Sequence, residues 1–251
     1  MQSVPGPTPR GGDVVKRHGL MTRLWHWLNA IAVTVMLMSG LMIFNAHPRL
    51  YWGHYGANPD PAWLDLSQVN GGIPFPGAVT IPTDYSLADA RLWHLAFAWP
   101  LAAALCGYLV WALLSGRLRR EIVPTPRDLA PRNLRDDIAE HARLRFPTGA
   151  AALRYGVLQR LAYSAVLLIL LPGMVLTGLA MSPAMDAGWP WLVDLLGGRQ
   201  SARSVHFLCA AALVGFVAVH LAMVALSGPI NGMRAMLSGR YRLPLEAEQA
   251  E

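Results

Sequence analysis

Four stretches without a single Asp, Glu, Lys or Arg decide what this chain can fold into: residues 24–44, 92–114, 161–181 and 205–226. Each is 21 to 23 residues long, enough for a helix to cross about 30 Å of hydrocarbon. Lipid offers no partner to backbone N–H and C=O groups, so only helices and closed barrels span it, and these stretches lack the alternation of barrel strands. The sequence therefore predicts an all-α membrane protein. It is a bundle of four transmembrane helices forming one integral-membrane domain over residues 1–251. With 54% hydrophobic and only 14% charged residues, the chain is too apolar for an ordinary soluble domain. Pro172-Gly173 interrupts the third stretch and predicts a kink there.

The basic residues set the orientation. Assigned to alternate sides of the four spans, Lys and Arg number 17 on one side and 4 on the other. The positive-inside rule then puts both termini and the Arg-rich 115–160 connection in the cytoplasm and the long 45–91 connection in the periplasm. The first span is too long for the apolar region of a cleaved signal, and no A-x-A-like site follows it. The cations bracket the spans, as anchors and contacts to membrane lipid require. Five acidic residues are interleaved over 117–145, which speaks against a nucleic-acid partner. The tail, 229–251, opens with Pro and a short amphipathic pattern that suits the cytoplasmic surface. The 45–91 connection is rich in Trp, Tyr, Gly and Pro, so no long regular element is expected in it. Connections of this length are often functional, here as a docking surface or an aromatic belt at the interface. "GWPWL", at 188–192, is a second aromatic anchor. Cys106 and Cys209 lie inside spans with no C-x-x-C spacing, and read as small apolar fillers.

Histidine carries the chemistry. Of eight, His26, His94, His206 and His220 fall in or at the edge of spans. An ionisable ring in lipid is a functional candidate. A lone one is as readily a hydrogen bond between helices, but here there are four and no span holds an acidic residue. His206 and His220 are fourteen residues apart. That spacing is nearly four turns, so they share a face about 21 Å apart along the axis. One metal atom cannot hold both; two centres at two depths can. The second and fourth spans start outside, which brings His94 to the level of His206. The first span starts inside, which brings His26 to the level of His220. Two pairs at two depths, each from two helices, are what bis-histidine haem b requires. Two His per level leave a zinc site short of ligands.

A porphyrin also needs room and cations. Gly40 follows His26 by fourteen residues, Gly107 follows His94 by thirteen, and Gly215 lies between His206 and His220. Glycine there lets a macrocycle approach the backbone, although glycine also serves plain helix packing. Arg23, Arg91 and Arg203 each precede one of the histidines by three residues, on the same helix face. They are candidates for holding anionic haem propionates, beside a plain role as interface anchors.

"RLWHWLNA" (23–30), "RLWHLAFAWP" (91–100), "SARSVHFLCAAALVGFVAVHLAM" (201–223) and the following "NGMRAMLSGRYR" resemble the bacterial cytochrome b561 and nickel-hydrogenase b-type cytochrome family, closest to its thiosulfate-reductase-type subunits. The resemblance covers all four spans. It implies a membrane-bound di-haem subunit that moves electrons between quinone and a redox partner, with His94 and His206 on the outer haem and His26 and His220 on the inner one. The partner it implies is a periplasmic redox subunit: a molybdenum enzyme, an iron–sulfur protein or a cytochrome c. Arg23 and Asn29 flank His26 on one face and are candidates for a quinone carbonyl; Asn29 equally suits a helix–helix contact. Two other readings stay open. A smaller relative of this family is a stand-alone superoxide:quinone oxidoreductase, and membrane histidines also occur in non-haem transporters. No nucleotide loop, catalytic triad or catalytic metal motif is present.

Overall fold

The computed structural model describes residues 10–147 and 149–245. The first nine residues and the end of the expected surface tail, 246–251, lie outside the described residues. In chain order, β1 (Val14–Lys16) precedes α1 (Leu20–Asn45), and the connection that follows holds β2 (Arg49–Leu50) and β3 (Leu64–Asp65). Next come α2 (Leu87–Leu114) and α3 (Pro131–Ala142). The third span is built from α4 (Val157–Ala165), a π-helical turn at Val166–Leu170, and α5 (Leu171–Met181). Short α6 (Pro183–Gly188) and α7 (Pro190–Leu195) lead into α8 (Arg199–Leu226), α9 (Pro229–Ser238) and β4 (Arg240–Arg242).

Among the described residues, four helices are long and apolar enough to cross a membrane: Leu20–Asn45, Leu87–Leu114, Ala151–Met181 and Arg199–Leu226. They run past the charge-free stretches at one or both ends. A charged residue near the start of a helix can reach out to the interface along its own stem, so charge marks the membrane edge rather than the end of the helix. The irregularity expected at Pro172 takes the form of the π turn just before it. Pro172 then sits in the first turn of α5, where its missing N–H and its ring are tolerated. α2 continues through Pro100. Beside the helices there are two short antiparallel pairings, β1 with β4 and β2 with β3.

The chain divides into two compact units. One comprises Met1–His26, Trp111–Ser164 and Phe216–Glu251; the other comprises Trp27–Val110 and Ala165–Gly215. In the first, Val15 pairs with Tyr241, and the Arg17 guanidinium lies 4.4 Å from the Tyr241 ring centre. The segment before the first span is thus joined to the segment after α9. Gly239 ends α9 with φ 79°. A Cβ there would sit 2.8 Å from the His18 carbonyl oxygen, so only glycine fits. Arg160 of α4 pairs with Asp128 at 2.7 Å and donates to the Val123 carbonyl. The Leu158 N–H donates to Asp137 at 2.8 Å, and together these tie the 117–145 connection to the foot of the third span. The amide and then the hydroxyl of Thr125, with the charge of Arg160 last, hold the Asp128 carboxyl below the ordinary carboxylate range. α9 turns Ile230, Met233 and Leu237 outward.

In the second unit the long connection is stapled to the start of α8. The first turn of a helix carries amides without partners. Here the N–H groups of Gln200 and Ser201 both donate to the Gly53 carbonyl, at 3.1 and 3.2 Å. The Gly53 N–H donates to Ser201 Oγ at 2.7 Å. Ser204, fully buried, donates to the Tyr51 carbonyl at 2.6 Å and accepts from Trp63 Nε1 at 2.9 Å. Asn45 exchanges two hydrogen bonds with the backbone of Phe75, at 2.8 and 3.0 Å. Gly198 is the close-approach point: its φ is 106° and a Cβ would lie 2.5 Å from the Gly53 oxygen. Gly173 likewise makes room for Cys209, whose sulfur would be 3.3 Å from a Cβ there.

Candidate functional site

In the second unit, His94 of α2 faces His206 of α8, with ring centres 6.2 Å apart and planes at 59°. α1 and α5 complete the site. Ser39 Oγ lies 3.0 Å from His94 Nδ1, and Thr177 Oγ1 lies 2.8 Å from His206 Nδ1. Each hydroxyl also donates back to a carbonyl four residues earlier, Ser39 to Val35 at 2.8 Å and Thr177 to Gly173 at 2.6 Å. A carbonyl can only accept and a hydroxyl has one proton. Both contacts of each hydroxyl are hydrogen bonds only if each ring donates its Nδ1–H to the hydroxyl. That bookkeeping assigns the tautomer and leaves both Nε2 lone pairs free to bind a metal. Ser39 and Thr177 are buried; losing either would strand an N–H at about 1–3 kcal/mol. Glycine follows each hydroxyl residue. A Cβ on Gly40 would lie 3.4 Å from His94 Cε1, and one on Gly178 would lie 3.7 Å from His206 Cε1.

In the first unit, His26 of α1 faces His220 of α8 with ring centres 6.3 Å apart and planes at 55°. Phe216, one turn earlier on α8, stacks on His220 at 5.8 Å, and Tyr163 meets Phe216 edge-on. Close to His26 in sequence, His18 Nδ1, Thr22 Oγ1 and Arg23 Nε are buried atoms with no hydrogen-bond partner among the described residues. Burial, then the charges of Arg17 and Arg117, push the His18 pKa down to about 4. A set of orphaned donors among cations suits an anionic group such as a carboxylate.

The remaining predicted residues divide. Arg203 donates through both terminal nitrogens to the Arg49 and His47 carbonyls and lies over the Phe44 ring, so it holds the long connection. Arg23 donates one terminal nitrogen to the Leu237 carbonyl at the end of α9, where a cation suits the helix dipole. Arg91 is exposed and Asn29 is buried. A Cβ on Gly107 or Gly215 would meet nothing within 4 Å. Sequence reasoning missed Ser39, Thr177 and Gly178. The signal was a hydroxyl residue directly before glycine in a span otherwise apolar.

The spacing of the rings tests the fit of a metal. Two metal–nitrogen bonds of about 2 Å, with roughly 1.1 Å from each nitrogen to its ring centre, sum to about 6 Å, close to both observed separations. Among the described residues no group of three or more His, Cys, Asp or Glu converges on one point. Each pair thus offers two ligands, which suits an iron whose other four nitrogens come from a porphyrin.

Paired imidazoles inside an apolar four-span bundle define a membrane cytochrome of the b type. The chain belongs to the prokaryotic cytochrome b561 family, whose model matches residues 17–239. The family consists of multi-pass haem proteins that serve as electron-transport subunits of oxidoreductases. A protein of Azospira oryzae, provisionally named protein-methionine-sulfoxide reductase subunit YedZ1, is 32% identical over 218 residues, covering 85% of this chain and 92% of its own. A protein of Cupriavidus necator, provisionally named Ni/Fe-hydrogenase B-type cytochrome subunit, is 25% identical over 226 residues, covering 86% and 80%.

Proposed function

We propose that this chain is a di-haem cytochrome b subunit of the bacterial inner membrane, relaying electrons between the quinone pool and a redox partner docked on the periplasmic side. The observation that carries it is the pair of facing imidazoles repeated twice, at 6.2 and 6.3 Å. His94 and His206 hold one haem and His26 and His220 the other. Bound haem b supplies one-electron chemistry, its iron alternating between ferric and ferrous. The residues orient the rings, exclude water and neutralise the propionates. Arg91 and the unpaired Nε of Arg23 are the donors for those carboxylates, and Arg203 adds its charge while it holds the loop. Gly40, Gly107 and Gly215 keep side chains out of the macrocycles' way. Quinone binds beside His26, with Arg23 and Asn29 as its polar contacts.

The relatives' names support a partner, since each is called a subunit of a larger reductase or hydrogenase. For this chain the partner class is a molybdenum enzyme, an iron–sulfur protein or a cytochrome c. The exposed aromatics of the 46–86 connection, Trp52, Tyr55 and Tyr85, provide its docking surface. A dithionite-reduced minus oxidised spectrum of the purified chain tests the proposal. Sharp b-type bands at two haems per chain are expected; a colourless protein would point to a transporter and overturn it. Superoxide-driven quinone reduction by the isolated chain would favour the stand-alone enzyme instead.

A further inference from the structure

Ser39-Gly40 and Thr177-Gly178 are two copies of one arrangement on different spans. In each, a hydroxyl meets the Nδ1 of one histidine, at 3.0 and 2.8 Å, while the glycine leaves room for the Cε1 edge of the same ring. The hydroxyl proton is committed to a carbonyl of its own helix, at 2.8 and 2.6 Å, so the oxygen faces the ring as an acceptor. We infer that Ser39 and Thr177 are positioning residues that lock His94 and His206 as Nδ1–H tautomers and lower the reduction potential of the haem held between them. This rests on the haem reading above.

The physical argument is one of ligand strength. An imidazole that donates its Nδ1–H carries more electron density at Nε2 and is the stronger ligand, which favours the more positive, ferric iron. Hydrogen bonding around axial ligands is one of the levers by which a protein sets haem potential. Both ligands receive the same treatment, so the two effects act in one direction. At the His26/His220 pair, Phe216 stacks on His220.

The test is redox titration of the full chain in detergent, followed optically and by low-spin ferric electron paramagnetic resonance. The component lost in His94→Ala identifies the relevant haem. Ser39→Ala and Thr177→Val are expected to raise the midpoint of that component, the double variant to raise it further, and the other component to stay fixed. Ser39→Thr and Thr177→Ser keep the hydroxyl and are expected to keep the wild-type midpoint. If an alanine or valine variant does not fold, Ser39→Cys, a weaker acceptor, is expected to shift the midpoint upward by a smaller amount. Unchanged midpoints, equal shifts in both components, or a shift that the hydroxyl-preserving variants share would each overturn the inference. A wild-type chain without b-type bands would instead sink the haem reading on which it rests.

Discussion

Replacing Ser204 with Ala should release the long connection from α8. Ser204 Oγ joins Trp63 Nε1 to the Tyr51 carbonyl, at 2.9 and 2.6 Å. The substitution leaves an indole N–H and a peptide carbonyl without that partner. Each stranded group costs about 1–3 kcal/mol when buried. Trp63 is 38% exposed and its indole can partly rehydrate, so the total falls near the lower end, about 2 kcal/mol. Because 1.4 kcal/mol is tenfold in an equilibrium, the released population should rise roughly 30-fold. Limited chymotrypsin digestion reads this directly, with cleavage around Trp52 and Trp63 tracking the opened fraction. Global thermal stability should change much less, since the spans are untouched. Equal cleavage rates in wild type and Ser204→Ala would show that the staple is not what holds the loop.

Four further outcomes follow from the same geometry. His94→Ala and His206→Ala should each remove one and the same haem, and His26→Ala and His220→Ala the other, read as haem per chain and as the potential component lost; a match between His26→Ala and His206→Ala would refute the pairing. Asn29→Leu should slow quinone-linked haem oxidation with both haems retained, and unchanged kinetics would remove Asn29 from the quinone site. Gly198→Ala combines a left-handed φ with a contact of 2.5 Å to Gly53. It should cost about 1–3 kcal/mol and open the loop to protease as Ser204→Ala does. The lowered pKa of Asp128 contributes stability that is present above the ordinary carboxylate value of about 3.9 and is lost as pH falls toward the lowered folded value. Asp128→Asn should flatten that acid loss and cost at most about 1 kcal/mol at neutral pH, as measured by thermal midpoints between pH 6 and pH 3.

The spans were legible because lipid leaves an uncharged 21-residue stretch few alternatives. Their ends were not, because Arg23 and Arg91 lie inside α1 and α2 and reach the interface from within the helix. Arg203 illustrates a second limit. Spacing i, i−3 places it on the face of His206, but what its guanidinium binds depends on carbonyls more than 150 residues earlier in the chain. The fold of the 46–86 connection was unreadable for the same reason. Its own hydrogen bonds mostly join near neighbours in the chain, such as Asp60 with Ala57 and Val79 with Pro76; what ties it to the spans includes the start of α8, a partner that no local pattern names.

The histidine pairs show how far spacing reaches and what it leaves out. Counting turns put His94 opposite His206 and His26 opposite His220, and the rings of each pair face one another in the structure, because depth along a helix is proportional to residue number. Counting cannot distinguish the surroundings of the two pairs, and the surroundings are what separate two otherwise identical ligand sets. A serine or threonine in a span can satisfy itself on its own i−4 carbonyl, so the glycine that follows Ser39 and Thr177 is the one sequence mark of a second duty. That duty appears only when a neighbouring helix delivers an imidazole N–H to the lone pair that back-bonding leaves open. The same back-bond that makes each hydroxyl unremarkable in sequence also fixes its polarity as an acceptor. If the proposed haem pairing holds, residues such as Ser39 and Thr177 would tune the haem between His94 and His206 without touching the iron.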